Sequence, residues 1–187
     1  EPDDVGVDLV EQAGRPPPEL RLLDGLHAPG HSRLRHRLPV VRRHPRALAA
    51  GMRKGVSINA ALTLRPLCAA NAEAVIRLPL HAAQRDFIAS NADSLALATS
   101  HAYMHPRAIY ADDELIGFAM YALPGSAGRQ DTHVLYRLMI AAPWQGQGFA
   151  RAALALLLAE MRSRGASRVV LYYVPANARA RQLYADA

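Results

Sequence analysis

LYRLMIAAPWQGQGFARAALALLLAEMRSRG, residues 135–165, decides how this chain folds. Its first six residues, Leu135 to Ile140, end an apolar run suited to a strand that starts near Thr132. Ala141-Ala142-Pro143-Trp144 then leads into the turn Gln145-Gly146-Gln147-Gly148-Phe149-Ala150. Glycines carry no Cβ, so at 146 and 148 the backbone can fold tightly and expose its N–H groups, and the helix that follows adds partial positive charge at its N-terminus. Such a turn suits a pyrophosphate. Phe149, Ala153, Leu156, Leu157 and Met161 recur at helical spacing and present one face to a sheet, while Gly165 stands where a left-handed C-terminal cap belongs. A strand over Arg168–Tyr173 follows.

Two better known phosphate loops are excluded. A P-loop requires G-x-x-x-x-G-K-[ST], and the only Gly-Lys neighbours stand reversed, as Lys54-Gly55. A dinucleotide fingerprint, G-x-G-x-x-G, would need glycine where Arg151 stands, and a parallel βαβ context that the upstream sequence contradicts.

That upstream sequence reads as a strand over 62–67, a short helix over 69–78 and a helix over 91–103 capped by Asn91 and stopped by His105-Pro106. Strands over 107–111 and 114–122 form an antiparallel hairpin around Asp112-Asp113, and a Gly/Ser-rich loop from Pro124 to Gln130 leads to the strand 132–140. Residues 1–58 differ. Seven of the 13 prolines lie before Met52, among arginines and histidines, with no sustained period. The expectation is a disordered Pro/Arg-rich extension over 1–58, with Met52 as a candidate natural start, and one domain over 59–187.

At 187 residues, 51% of them hydrophobic, the chain holds one main core. The longest apolar candidate, Phe149 to Leu158, is interrupted by Arg151, so a spanning helix is excluded and a soluble protein expected. Cys68 is the single cysteine, which rules out an internal disulfide or a cysteine-rich metal site and makes a cytoplasmic compartment the default. Net charge is +6, carried almost wholly by arginine because Lys54 is the only lysine. A GC-rich codon bias explains that without nucleic acid, although a basic arm over 1–58 contacting nucleic acid stands as an alternative function.

Q-x-x-G-x-A from Gln145 to Ala150, between a strand ending LMI and a long helix, resembles motif A of the GNAT acetyltransferases. Asn177 followed by ARARQLY at 178–184 resembles the family's next helix, and FIASN at 87–91 with AIYADDELIGFAMY at 108–121 is similar to the bacterial spermine/spermidine branch. The likeness covers about residues 61–187. It implies an α/β fold with a mixed, mostly antiparallel sheet flanked by helices, and an N-acetyltransferase using acetyl-CoA on a small primary amine, polyamine being the first candidate. By the same resemblance Gln145, Gly146, Gly148 and Ala150 hold the pyrophosphate, with charge from Arg151. Backbone N–H groups of Leu138 and Ile140, freed by a bulge, hold the acetyl carbonyl and pantetheine. Asn177 contacts the pantetheine, and Tyr184 protonates the departing thiolate. No metal is expected.

Plainer readings stand beside these: Arg151 as an exposed helix arginine, Tyr184 as a core aromatic, Asn91 as a cap. His133 reads as a satisfied histidine, Cys68 as a small buried hydrophobe, Trp144 as packing for the turn, and Asp112, Asp113 and Glu114 as a solvated hairpin tip. No glutamate lies on the strand 132–140, which leaves Asp131 or a water chain as general base. A polyamine also meets a protein of its own sign. The family continues beyond the point where Leu183-Tyr184-Ala185-Asp186-Ala187 ends, into two more strands. The domain is therefore expected to be C-terminally truncated, with an open edge beside 168–173 and a frayed helix around Tyr184, relieved by strand exchange with a second chain, as in a homodimer, or by a longer natural protein of which this is a fragment; a non-catalytic remnant is a further alternative function.

Overall fold

The computed structural model describes residues 6–11, 60–124 and 132–186. In chain order these form β1 (Gly6–Glu11), β2 (Leu62–Pro66), α1 (Ala69–Ile76), a 3₁₀ turn (Ala82–Phe87) and α2 (Asn91–Ser100). Then come β3 (Met104–Ala111), β4 (Glu114–Ala122), β5 (Thr132–Ile140), a short 3₁₀ turn (Ala142–Trp144), α3 (Phe149–Ser163), β6 (Arg168–Tyr173) and α4 (Ala178–Ala185). The six strands make one sheet in the order β1-β6-β5-β4-β3-β2. Pairing is antiparallel from β2 to β5 and parallel across β5, β6 and β1. Among the described residues no helix is long and apolar enough to cross a membrane.

The core has two layers because side chains alternate across the pleat. On one face Ala119 and Tyr121 of β4 meet α3; on the other Phe118, Met120 and Ala122 meet Val75 of α1 and Leu97 of α2. The buried seam of α3 is Phe149, Ala153, Leu154, Leu157 and Met161. Leu156, expected on that seam, is only half-buried, and Leu154 takes its place. Each large side chain there stabilises the fold by about 1.5–3 kcal/mol.

Several expectations are corrected. The hairpin's first strand begins at Met104, with Pro106 inside it. Pro106 lies just beyond the last β2 pair, Pro66 with Arg107, so its missing N–H breaks no bond on that flank. Asn91 does not cap α2: the Ser90 hydroxyl accepts from the Asp93 N–H, and Asn91 Nδ2 donates 2.8 Å to the Val75 carbonyl, tying α2 to the end of α1. Cys68 is exposed rather than buried.

Residues 6–11, inside the stretch expected to be disordered, form β1; the rest of 1–58, apart from these six, lies outside the described residues. β1 pairs in parallel with β6 from Gly6 opposite Arg168 to Glu11 opposite Tyr173, and Asp8 meets Arg168 at 3.1 Å. It occupies the edge expected to be open, in the place foreseen for strand exchange. GVDLVE has no period of its own because a strand's stability comes from the partner it meets, which lies 162 positions away at Gly6 and Arg168. At the other end α4 is an ordered helix, capped by Asn177 Oδ1 accepting from the Ala180 N–H, with Tyr184 only 9% exposed. The expected fraying is not seen.

Candidate active site

β5 and β6 run side by side only from Thr132 opposite Arg168 to Leu135 opposite Leu171. Beyond that they part, and the cause lies in β5. Its register against β4 steps from Leu135 opposite Tyr121 to Arg137 opposite Met120, leaving Tyr136 as an extra residue. A bulge bends and twists the strand that carries it. The gap between the two strands opens into a cleft of about 610 Å³, walled by β5, β6, α4, the turn before α3 and the segment between α1 and α2.

The Ala141 N–H donates to the Ile116 carbonyl, across to β4. Alternation along the strand therefore aims the N–H groups of Leu138 and Ile140 the other way, to the flank that β6 has left. Both residues line the cleft.

At its far end lies the glycine turn. Gly146 and Gly148 have φ of 78° and 84°, the left-handed region that a side chain resists, and no atom stands within 4 Å of where a Cβ would be. The Gly148 carbonyl accepts from Arg151 and Ala152, starting α3. The N–H groups of Gly146, Gln147, Gly148, Phe149 and Ala150 find no acceptor among the described residues. Five donors at a helix N-terminus beside open space fit a diphosphate. Trp144 packs edge-on to Phe149, ring centres 6.3 Å apart, and holds the turn against the helix.

Gln145 is turned inward. Its amide donates to the Ile140 carbonyl at 2.7 Å and exchanges hydrogen bonds with Gln84 at 2.9 and 3.1 Å, so it latches the turn to β5. Arg151 lines the cleft and pairs with Asp186 at 2.7 Å, closing α3 against α4. Asn177 lines it too, with its oxygen engaged as the α4 cap. Tyr184 reaches in from the last turn of α4; burial pushes its phenol up to about 12, with Arg137 pulling the other way. Its hydroxyl makes no hydrogen bond with the described residues. Asp131, named as a general base, lies outside the described residues.

Sequence reading passed over Arg137 and the neighbouring Tyr136, both of which line the cleft. The signal was there: one charged residue in the apolar run LYRLMI. His133, by contrast, is fully buried away from the cleft, and neither ring nitrogen has a partner, which corrects the satisfied histidine expected there.

A model of the acetyltransferase (GNAT) family matches residues 73–186, more than half of the chain. Several solved structures share the fold. The ribosomal-protein-alanine N-acetyltransferase of Brucella melitensis biovar Abortus 2308 has TM-score 0.51 at 21% identity over 67% of this chain and 90% of its own. The ribosomal-protein-S18-alanine N-acetyltransferase of Escherichia coli gives 0.54 at 20% identity, over 67% and 76%. The aminoglycoside acetyltransferase AAC(6')-Ib, in complex with coenzyme A, gives 0.57 at 16% identity, over 68% and 83%. A search of curated protein sequences finds no match. A parted β5/β6 pair, a glycine turn of free N–H groups and a family match across both place the chain in the GNAT family of acetyltransferases.

Proposed function

We propose that this chain transfers the acetyl group of acetyl-CoA to a primary amine held in the cleft between β5 and β6. The observation that carries the reading is the cleft itself: a bulge at Tyr136 releases two backbone donors from β5, and a donor-rich turn lies at the same cleft's far end. The residues present fit acetyl-CoA, since the turn offers N–H groups and unfilled space where a diphosphate would sit. When bound, acetyl-CoA supplies the acetyl group as a thioester, and the amine nitrogen forms the C–N bond as the C–S bond breaks.

The chain's own part is mostly positioning. Leu138 and Ile140 N–H groups hold and polarise the carbonyl oxygen. Gly146 to Ala150 anchor the diphosphate, Gln145 fixes that turn to β5, Arg151 adds positive charge beside it, and Asn177 Nδ2 faces the pantetheine. Tyr184, protonated throughout the neutral range, gives its proton to the leaving sulfur. The amine's own protons leave to a water chain or to Asp131, which lies outside the described residues; Asp186, the acid lining the cleft among the described residues, is paired with Arg151. A cytoplasmic setting rests on cysteine usage alone.

For a polyamine acceptor the support is resemblance only. Ser90 and Asn91 of the FIASN segment are engaged in building α2; away from the cleft, Arg65 donates to the Asp112 backbone carbonyl at 2.8 Å and to the Asp113 carboxylate at 3.1 Å, and the Asp112 carboxylate accepts from the Ala61 N–H at 3.1 Å. Calorimetry with acetyl-CoA tests the donor site. Gly148→Val should weaken binding about 100-fold, because a branched side chain at φ 84° both strains the turn and fills the phosphate space. Unchanged affinity in a folded variant would remove the turn from the site.

A further inference from the structure

Two arginines of the sheet are largely withdrawn from water, and they are treated differently. Arg107 on β3 meets a carboxylate: its Nε lies 2.9 and 3.1 Å from the two oxygens of Glu160. Arg137 on β5 meets none. Its Nε donates to the Ser94 hydroxyl at 3.2 Å and its Nη1 to the Tyr136 carbonyl at 2.7 Å, which fixes the plane of the guanidinium. An arginine carries five N–H donors, and the other three have no acceptor among the described residues. Ser94 is itself locked, 2% exposed and donating to the Ser90 carbonyl at 3.0 Å.

The surroundings offer no counter-charge. Among the described side chains lining the cleft the only acid is Asp186, already paired with Arg151. Asp93, whose field reaches Arg137, accepts a 2.6 Å bond from Ser90 and forms no ion pair with it. Burial accordingly lowers the Arg137 pKa, working against its charge. A guanidinium held rigid, partly desolvated and unpaired at the wall of a cleft is a binding site for an anion.

Position tells which anion. Arg137 adjoins Leu138, whose N–H is directed to the flank that β6 has left, and lies eight positions before Gln145, where the diphosphate turn begins. The anion therefore belongs to the acceptor. Resting on the acetyltransferase reading above, the geometry points to Arg137 as the specificity residue for an acceptor that carries a carboxylate as well as its amine, an amino acid rather than a polyamine. A bare diamine would place a second cation beside this one.

Lysine and cadaverine differ by one carboxylate, as do ornithine and putrescine, so the two pairs isolate the group in question. With the full chain and saturating acetyl-CoA, kcat/KM should favour lysine and ornithine over their diamines by roughly 10- to 100-fold, the value of a charge-assisted bond. The difference should lie in the acceptor KM. In Arg137→Gln the ratio should collapse towards one, and in Arg137→Lys part of it should return, while acetyl-CoA affinity measured by calorimetry reports that both variants fold. Diamines used as well as the amino acids by the wild-type chain, or a ratio untouched in Arg137→Gln, would overturn the inference and leave the acetyltransferase reading standing. Failure of acetyl-CoA to bind would instead overturn that reading. If acetyl-CoA binds but no amine is acetylated, lysine and cadaverine are titrated into the CoA-saturated chain, where absence of a carboxylate preference counts against Arg137 in the same way.

Discussion

Strand β5 has two halves with opposite surroundings. From Thr132 to Leu135 it is buried and paired with β6, and Val134 and Leu135 pair with β4 as well. From Arg137 to Ile140 only the β4 flank is paired, and the other faces the cleft. One extra residue, Tyr136, separates them. The open half carries Arg137, while Arg107 lies two strands away on β3, and the contrast shows how polar groups divide between holding a fold and using it. Tyr121, opposite Leu135 of the paired half, and Arg107 of β3 converge on Glu160, the Tyr121 hydroxyl at 2.7 Å, and Arg164 adds a contact at 3.4 Å. Burial alone would raise the Glu160 carboxyl, but the hydrogen bonds from Arg107 and Tyr121 bring it below its ordinary value. Burial and the same carboxylate raise the Tyr121 phenol well above its own. A network satisfied from within is rigid and has no capacity left for a ligand. At the open half the donors of Leu138, Ile140 and Arg137 have no internal partner on the cleft side, and that is what makes them available.

Substitutions in the two halves should separate cleanly by readout. At the open end Tyr184→Phe should lower kcat about 100-fold, the low end for a positioned acid, and leave acetyl-CoA affinity and melting temperature near the wild-type values. Because its phenol is pushed up to about 12, the wild-type kcat should show no alkaline decline from Tyr184 through pH 9 or so. A kcat within twofold of wild type would return Tyr184 to the role of a core aromatic.

At the paired end the effect should be on stability alone. Glu160→Ala strands the Arg107 charge, only 8% exposed, with no carboxylate. Since the Glu160 side chain is itself 22% exposed and water can partly answer that charge, the expected loss is about 2–3 kcal/mol, under the value for a fully buried pair. Denaturant titration measures it. Glu160→Gln should recover part of the loss by still accepting from Tyr121. A loss of kcat in folded Glu160→Gln would show that the two halves are coupled.

How much of this was legible in the sequence follows the range of the forces involved. The turn at 145–150 and the α3 seam could be read because glycine's freedom and helical period are local. Boundaries slipped where a distant partner decides: Met104 to Pro106 joined β3 because β4 was there to pair with, and Asn91 gave its side chain to α1 instead of to its own helix. β1 was invisible, since GVDLVE becomes a strand only against β6. In the site, the resemblance named residues by motif and so missed Arg137, whose importance comes from what it lacks. A missing counter-ion is a property of three-dimensional surroundings that no spacing encodes.

The smallest expected effect, and the one that most sharpens the comparison, belongs to His133 in the paired half. Its ring is fully buried with no partner at either nitrogen, and Nε2 of His105, which stacks on Tyr121 with ring centres 5.3 Å apart, is likewise without one. Burial lowers both imidazole pKa values below 6.5; His105 and Arg164 push His133 further down, and Arg164 and Arg107 do the same to His105 against an opposing pull from Glu160. Near pH 6.5 both rings are therefore less protonated in the fold than in the unfolded chain. Below that pH the unfolded state binds more protons. The stability they leave intact at pH 8 is consequently lost as pH falls through 6.5 towards the lowered native values. Loss of the Glu160 contribution begins around its ordinary 4.5, at lower pH than the onset of the histidine loss. His133→Leu removes one of the two titrating rings and two buried polar atoms without leaving a large void. Its melting temperature should exceed the wild type's by a few degrees at pH 5 and by less at pH 8, while acetyl-CoA binding, which belongs to the other half of β5, stays unchanged at both. A variant less stable than wild type at pH 5 would show that the protonated ring finds an acceptor after all, and that this half of the strand, too, holds a polar group in reserve.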